Sequence, residues 1–354
     1  MTLQTENQKK FQILALSGGG FRGLYTAQVL ANLEERSGTP IAKHFDLIAG
    51  TSIGGIIAIA AALEIPMKEV VNLFVEHGQT IFKKRPFYSH WFSITKSPYD
   101  SNNLKSLLEK SNLFGEFKIA DLKHPVIIPT INYTKGAPQV FKTPHHKDFW
   151  SDHVHSLVDV ALATSAAPAY FQRHCFNDWQ FVDGGLCANN PALLAVHEAD
   201  YFFNKELSQI SLLSIGTLSA KRTVNTAGNR DGGAIDWAES NFSLFNLKGF
   251  GLNLTDFPKN IIDLTLSNQQ IMMEQMAIHR LEKHGGLHIK IDEDLTANSA
   301  THIGLDQVTK EACETLRGNA RLSTQSAIKI AGFESFFEHI ATAPKWFHGP
   351  YKNA

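Results

Sequence analysis

Apolar positions in the first part of the chain fall into short runs separated by stretches with helical spacing. Phe11 to Leu16 predicts a buried strand, and Leu24 to Glu35 places Leu24, Ala27, Val29, Leu30 and Leu33 on one face of a helix. Phe45 to Ala49 predicts a second strand, and Ile53 to Leu63 an apolar helix closed near Pro66. Further strands are expected at Val126 to Asn132, Gln180 to Val182, Ile210 to Ile215 and Leu287 to Ile291. Helices are expected at Ser156 to Ala167, around Ser267 to Leu281 and around Leu305 to Leu316. Strands alternating with helices predict an α/β fold, a three-layer α/β/α sandwich around a mainly parallel sheet.

Lys83 to Asn103 is aromatic, basic and rich in turn residues, which predicts a surface excursion or lid. Phe87, Tyr88, Trp91 and Phe92 could enter a membrane interface with Lys83, Lys84 and Arg85 near anionic headgroups. No amphipathic period supports that reading, so folding back on the sheet is the simpler expectation. Met272, Met273 and Met276 recur at helical spacing and are expected to fill core.

The chain has 354 residues, 43% of them hydrophobic and 19% charged, enough to bury a substantial core. Its net charge of -1 excludes the electrostatic footprint of a dedicated nucleic-acid polymer binder. The longest apolar runs, such as Ile56 to Leu63, fall short of the roughly 18 residues of a membrane span. Residues 1–10 form a polar tail without a signal-peptide core. Cys175, Cys187 and Cys313 have no pairing signature and read as packed thiols of a reduced, cytoplasmic protein.

Two strand-to-helix junctions carry candidate chemistry. Gly18-Gly19-Gly20-Phe21-Arg22-Gly23 follows the first strand, and a glycine-rich turn there can aim backbone amides at a phosphate or a developing oxyanion. Gly50-Thr51-Ser52-Ile53-Gly54 follows the second strand and matches the GxSxG nucleophile elbow, whose glycines permit a tight bend that exposes the serine. A serine needs a base. Asp183, before Gly184 and Gly185, stands at the end of a predicted strand and could supply one, although Asp-Gly-Gly alone reads as a turn.

In order and spacing, these three motifs resemble the patatin-like phospholipase family, as do Ala163-Thr164-Ser165-Ala166-Ala167-Pro168 and Asn189-Asn190-Pro191. The resemblance spans about residues 11 to 217. It implies a Ser-Asp dyad hydrolase of lipid acyl esters, without catalytic histidine, metal or other catalytic cofactor. Ser52 would be the nucleophile and Asp183 the base. Gly18, Gly19, Gly20 and Gly23 would form the oxyanion loop, with Arg22 at its basic position. The opening ILALSGGGFRGLYTAQVLANLEE and the chain length are similar to bacterial patatin-like effectors of antiphage signalling. That narrower resemblance implies activation by a cyclic dinucleotide such as cyclic GMP-AMP and attack on inner-membrane phospholipids. A ligand-dependent homo-oligomer would suit the near two-fold shape of such a nucleotide.

A catalytic domain is therefore expected over residues 11–220. A C-terminal extension over residues 221–354, a candidate regulatory part, would begin at the polar, Gly/Asn-rich stretch and pack on it. Two rivals fit less well. A dinucleotide fold would carry an acidic residue at the end of the second strand, where Gly50 stands. A Ser-His-Asp hydrolase would place several strands before the elbow. His145-His146 lacks companions at ligand spacing and reads as loop.

Overall fold

The computed structural model describes residues 10–85, 97–110, 112–218, 256–293 and 303–352. In chain order its first half contains β1 (Phe11–Leu16), α1 (Gly23–Ser37), β2 (Leu47–Gly50), α2 (Ile53–Ala62), α3 (Met67–Ile81), α4 (Ser101–Leu108), β3 (Val126–Asn132), β4 (Ala137–Lys142) and α5 (Leu157–Thr164). There follow β5 (His174–Phe176), β6 (Trp179–Asp183), α6 (Gly185–Ala188), α7 (Ala192–Tyr201), β7 (Ile210–Ile215), α8 (Asp256–His284), β8 (Leu287–Ile291), α9 (Lys310–Ala327) and α10 (Ser335–Glu338).

One eight-stranded sheet runs in the order β5-β6-β3-β2-β1-β7-β8, with β4 branching from β3. The pairs β3-β2, β2-β1, β1-β7 and β7-β8 are parallel, and β4, β5 and β6 pair antiparallel. Side chains alternate across the central strands. In β1, Leu14 and Leu16 enter the core beneath α1, α2, α3 and α5, whereas Phe11, Ile13 and Ala15 meet α7 and the end of α8. Both faces are covered, which is why these strands read as continuous apolar runs. The structure is the expected three-layer α/β/α sandwich with a mainly parallel sheet.

The two edges of β3 position the chemistry. Ile127 pairs with Lys142 of β4 and with Ala49 of β2, while Thr130 pairs with Gln139 of β4 and with Asp183 of β6. Because β4 occupies one edge throughout, β2 and β6 share the other edge in succession. They run in opposite directions, so the ends of both strands meet beside Ile128–Thr130.

The described residues after 220 join the cores built by the residues before them. β8 extends the same sheet, and Ala312, Leu316, Ala320, Phe333 and Phe336 join the core that contains Leu14 and Leu24. Buried Gln12 reinforces this join by donating from Nε2 to the carbonyls of His44 and Phe336. The Gly/Asn-rich stretch expected as a boundary, at 221–233, lies outside the described residues. So do Phe87, Tyr88, Trp91 and Phe92.

Three expectations are corrected. The helix expected from Leu305 starts at Lys310, where Thr309 Oγ1 accepts from the Ala312 amide at 3.0 Å. Met272 and Met276 are 52% and 48% exposed instead of filling core, because α8 turns Gln270 and Glu274 inward. Cys175 is exposed on an edge strand, not packed.

Phe336 is fully buried, so Phe336→Ala should cost about 3–5 kcal/mol of unfolding free energy. Calorimetry should show one transition at lower temperature. Two resolved transitions would mean that the C-terminal residues unfold as a separate unit.

Candidate active site

β2 ends at Gly50, and the chain turns sharply into α2 through Ser52, whose backbone lies at φ 54° and ψ -124°. A non-glycine residue in that region carries strain of order 1–3 kcal/mol, tolerated only where neighbours fix it. Here they do. A Cβ on Gly50 would lie 2.2 Å from the Gly54 carbonyl oxygen, and one on Gly54 would lie 2.4 Å from that of Leu16. The Thr51 hydroxyl donates to the Ala188 carbonyl at 2.6 Å. The Ser52 amide donates to Thr164 Oγ1 at 3.0 Å, and that hydroxyl donates to the Pro129 carbonyl at 2.7 Å.

Asp183 closes β6 and meets the serine. Ser52 Oγ donates to Asp183 Oδ2 at 2.7 Å, and the Gly185 amide donates to Asp183 Oδ1 at 2.6 Å. Gly184 is needed at close approach: a Cβ there would stand 2.0 Å from the Pro129 carbonyl oxygen. The Asp183 and Gly184 amides donate to the carbonyls of Ala166 and Thr164. Thr164 thus braces the serine turn with its side chain and the aspartate turn with its backbone. Burial pushes the Asp183 carboxyl up to about 6, against the opposing hydrogen bonds from Ser52 and Gly185.

The glycine loop lies on the other side of the serine. A Cβ on Gly18 would be 3.2 Å from Ser52 Cβ. The expectation that the whole loop offers amides is narrowed. The Gly18 amide donates to Asn189 O, the Arg22 amide to Gly19 O, and the Gly23 amide to the carbonyls of Gly20 and Phe21. Among the described residues, no acceptor meets the amides of Gly19 and Gly20. Gly20 takes φ +56°, and a Cβ there would strike the Leu305 carbonyl oxygen, which accepts from the Phe21 amide. Burial lowers the pKa of the Arg22 guanidinium, with the charges of Asp263 and Asp292 opposing.

These groups open into a cavity of about 340 Å³, walled by Phe74, Ile81, Phe82 and Phe171 on its apolar side and by Asp263 and Gln270 of α8. No histidine is among its described lining residues, and within it Ser52 Oγ meets Asp183 directly. Among the described residues no three His, Cys, Asp or Glu side chains are grouped to hold a metal. Cys187 stands close by, and burial, followed by the Asp183 charge, pushes its thiol up to about 11, which keeps it in the thiol form near neutral pH. The motif readings missed Thr164 as a brace and Gln270 altogether, since neither role has a local sequence signal.

A serine on a strained turn, bonded to a buried carboxylate beside loop amides that meet no described acceptor and an apolar cavity, is the constellation of an acyl-ester hydrolase. Comparison with known proteins agrees. Residues 14–196 match the family model of patatin-like phospholipases. A "cGAMP-activated phospholipase" of Pseudomonas aeruginosa is 39% identical over 97% of this chain and 96% of its own. Proteins of the same name from Vibrio cholerae and Escherichia coli are each 31% identical, over 94% and 91% of this chain and 95% and 91% of their own. The chain belongs to the patatin-like phospholipase family and is a lipid ester hydrolase.

If Asp183 is the base for Ser52 it must be ionised to act, and kcat/KM should then rise with pH through a midpoint near 6 and level off. A profile flat between pH 4 and 8 would exclude Asp183 as the base. The raised pKa also means that the folded state holds this proton where the unfolded chain releases it. Stability therefore falls between about pH 4 and 6 and stays reduced above. Asp183→Asn should gain up to about 3 kcal/mol at pH 8 while losing turnover, and a lower Tm at that pH would contradict this sign.

Proposed function

We propose that the protein is a phospholipase using Ser52 and Asp183 as its catalytic dyad and switched on by a cyclic dinucleotide such as cyclic GMP-AMP. The observation that carries the dyad is the 2.7 Å hydrogen bond between Ser52 Oγ and Asp183 Oδ2 inside the cavity. Ser52 Oγ attacks the ester carbonyl carbon as Asp183 takes its proton, and the amides of Gly19 and Gly20 hold the oxyanion. The carbon–oxygen bond to the lipid alcohol breaks, and Asp183 returns the proton to the leaving oxygen. Water then attacks the acyl-serine, gives its proton to Asp183, and the fatty acid departs as Ser52 is reprotonated.

Activation by the nucleotide is supported by relatives of that name matching nearly the whole chain. The resemblance to antiphage effectors extends the reading. The enzyme is cytoplasmic, acts peripherally on the inner face of the cell membrane, degrades its phospholipids during phage infection, and assembles with itself when the nucleotide binds. Among the described residues no helix is long and apolar enough to cross a membrane.

Purified protein should release fatty acid from phosphatidylglycerol and phosphatidylethanolamine vesicles when cyclic GMP-AMP is present. Ser52→Ala and Asp183→Ala should each lower turnover by about 10³-fold or more with the fold retained. Equal turnover without nucleotide would reject the switch, and an active Ser52→Ala variant would reject the dyad. A mass unchanged by the nucleotide would reject the assembly step.

A further inference from the structure

Two consecutive asparagines follow the aspartate turn, and two successive turns of α8 hold them. Asn189 Nδ2 donates to Gln270 Oε1 at 2.7 Å, and Asn190 Nδ2 donates to Glu274 Oε1 at 3.3 Å. Gln270 and Glu274 stand four residues apart and so share one face of the helix. Asn189, Asn190, Gln270 and Glu274 are all buried. The Asn189 amide is also held, donating to Gln269 Oε1 at 2.7 Å, while Gln269 Nε2 donates to the Cys187 carbonyl.

What Asn189 does with this support is specific. Its carbonyl accepts the Gly18 amide at 2.9 Å, and its side-chain nitrogen reaches the Gly18 carbonyl at 3.5 Å. A Cβ placed on Gly18 would stand 2.4 Å from Asn189 Oδ1 as well as 3.2 Å from Ser52 Cβ. The side chain of Asn189, the backbone of Gly18 and the side chain of Ser52 are therefore packed in series. The amides of Gly19 and Gly20 come next in the chain. The Gly18 carbonyl thus lies between the Thr217 hydroxyl, which donates to it at 3.2 Å, and the Asn189 carboxamide, whose acceptor on α8 is Gln270.

We infer that Gln270 is a positioning residue for the oxyanion loop, acting through Asn189 from a helix outside the sequence motifs. The inference rests on the proposed role of the Gly19 and Gly20 amides. Small displacements of such donors are costly, on the order of a hundredfold in rate for about 1 Å. Gln270 would thus govern turnover more than substrate affinity.

The test compares the full-length protein with Gln270→Leu, Asn189→Ala and the double variant, on phosphatidylglycerol vesicles with cyclic GMP-AMP. Gln270→Leu should lower kcat by roughly 10- to 100-fold with KM within about twofold, and the pH midpoint should stay in place. The double variant should be no slower than the slower single one, because both remove the same support. A kcat within twofold of the parent, a change confined to KM, or multiplying losses would overturn the inference. Amide hydrogen exchange supplies a readout that does not depend on turnover. Exchange over residues 17–23 should accelerate in Gln270→Leu while β7 remains protected, and unchanged exchange over residues 17–23 would overturn the inference. A parent protein inactive on every lipid would count against the proposed function, with the exchange result still deciding the role of Gln270.

Discussion

One edge of β3 is shared end to end by two strands that run toward each other, and the chemistry depends on this. β2 brings the serine turn from one direction, and β6 brings the aspartate from the other. Their tips fall together because both registers are set on the same strand. The residues between Ser52 and Asp183 build the intervening elements, yet the two side chains meet at 2.7 Å. A slip of one residue in the β3-β6 pairing would turn Asp183 to the opposite face of the sheet and separate them.

The surroundings hold a set of groups that would relax if left alone. Ser52 keeps a positive φ because Thr51, Thr164 and the backbones of Gly50 and Gly54 leave it no other path. Asp183 stays buried with its pKa raised, held by hydrogen bonds from Ser52 and Gly185. Strain and desolvation are concentrated at one point and offset by the apolar core on both faces of the sheet. This arrangement trades stability for a carboxyl whose pKa burial raises to about 6.

Much of this was legible from local pattern. Strands at Val126–Asn132 and Ile210–Ile215 lie where the apolar runs put them, since strands buried on both faces read as apolar runs, and the edge strand Leu287–Ile291 lies where its Leu287, Ile289 and Ile291 alternate with polar residues. The elbow and the Asp-Gly-Gly turn were visible because close backbone approach demands glycine. Helix α8 was misread for a physical reason: apolar spacing is taken as the sign of the inward face, but its inward face carries Gln269, Gln270 and Glu274 to satisfy buried asparagines. Met272 and Met276 consequently face outward. Nor could spacing show which loop amides are free, because Asn189, far along the chain, decides that for Gly18.

Order of synthesis has a bearing on safety for a cell that makes such an enzyme. A nascent chain that has emerged as far as α2 displays the serine but has no carboxylate to activate it. One that has emerged through β6 has the carboxylate but lacks α8, which holds the asparagines in place. The serine, the carboxylate and the helix that holds the asparagines thus come together only after α8 has emerged.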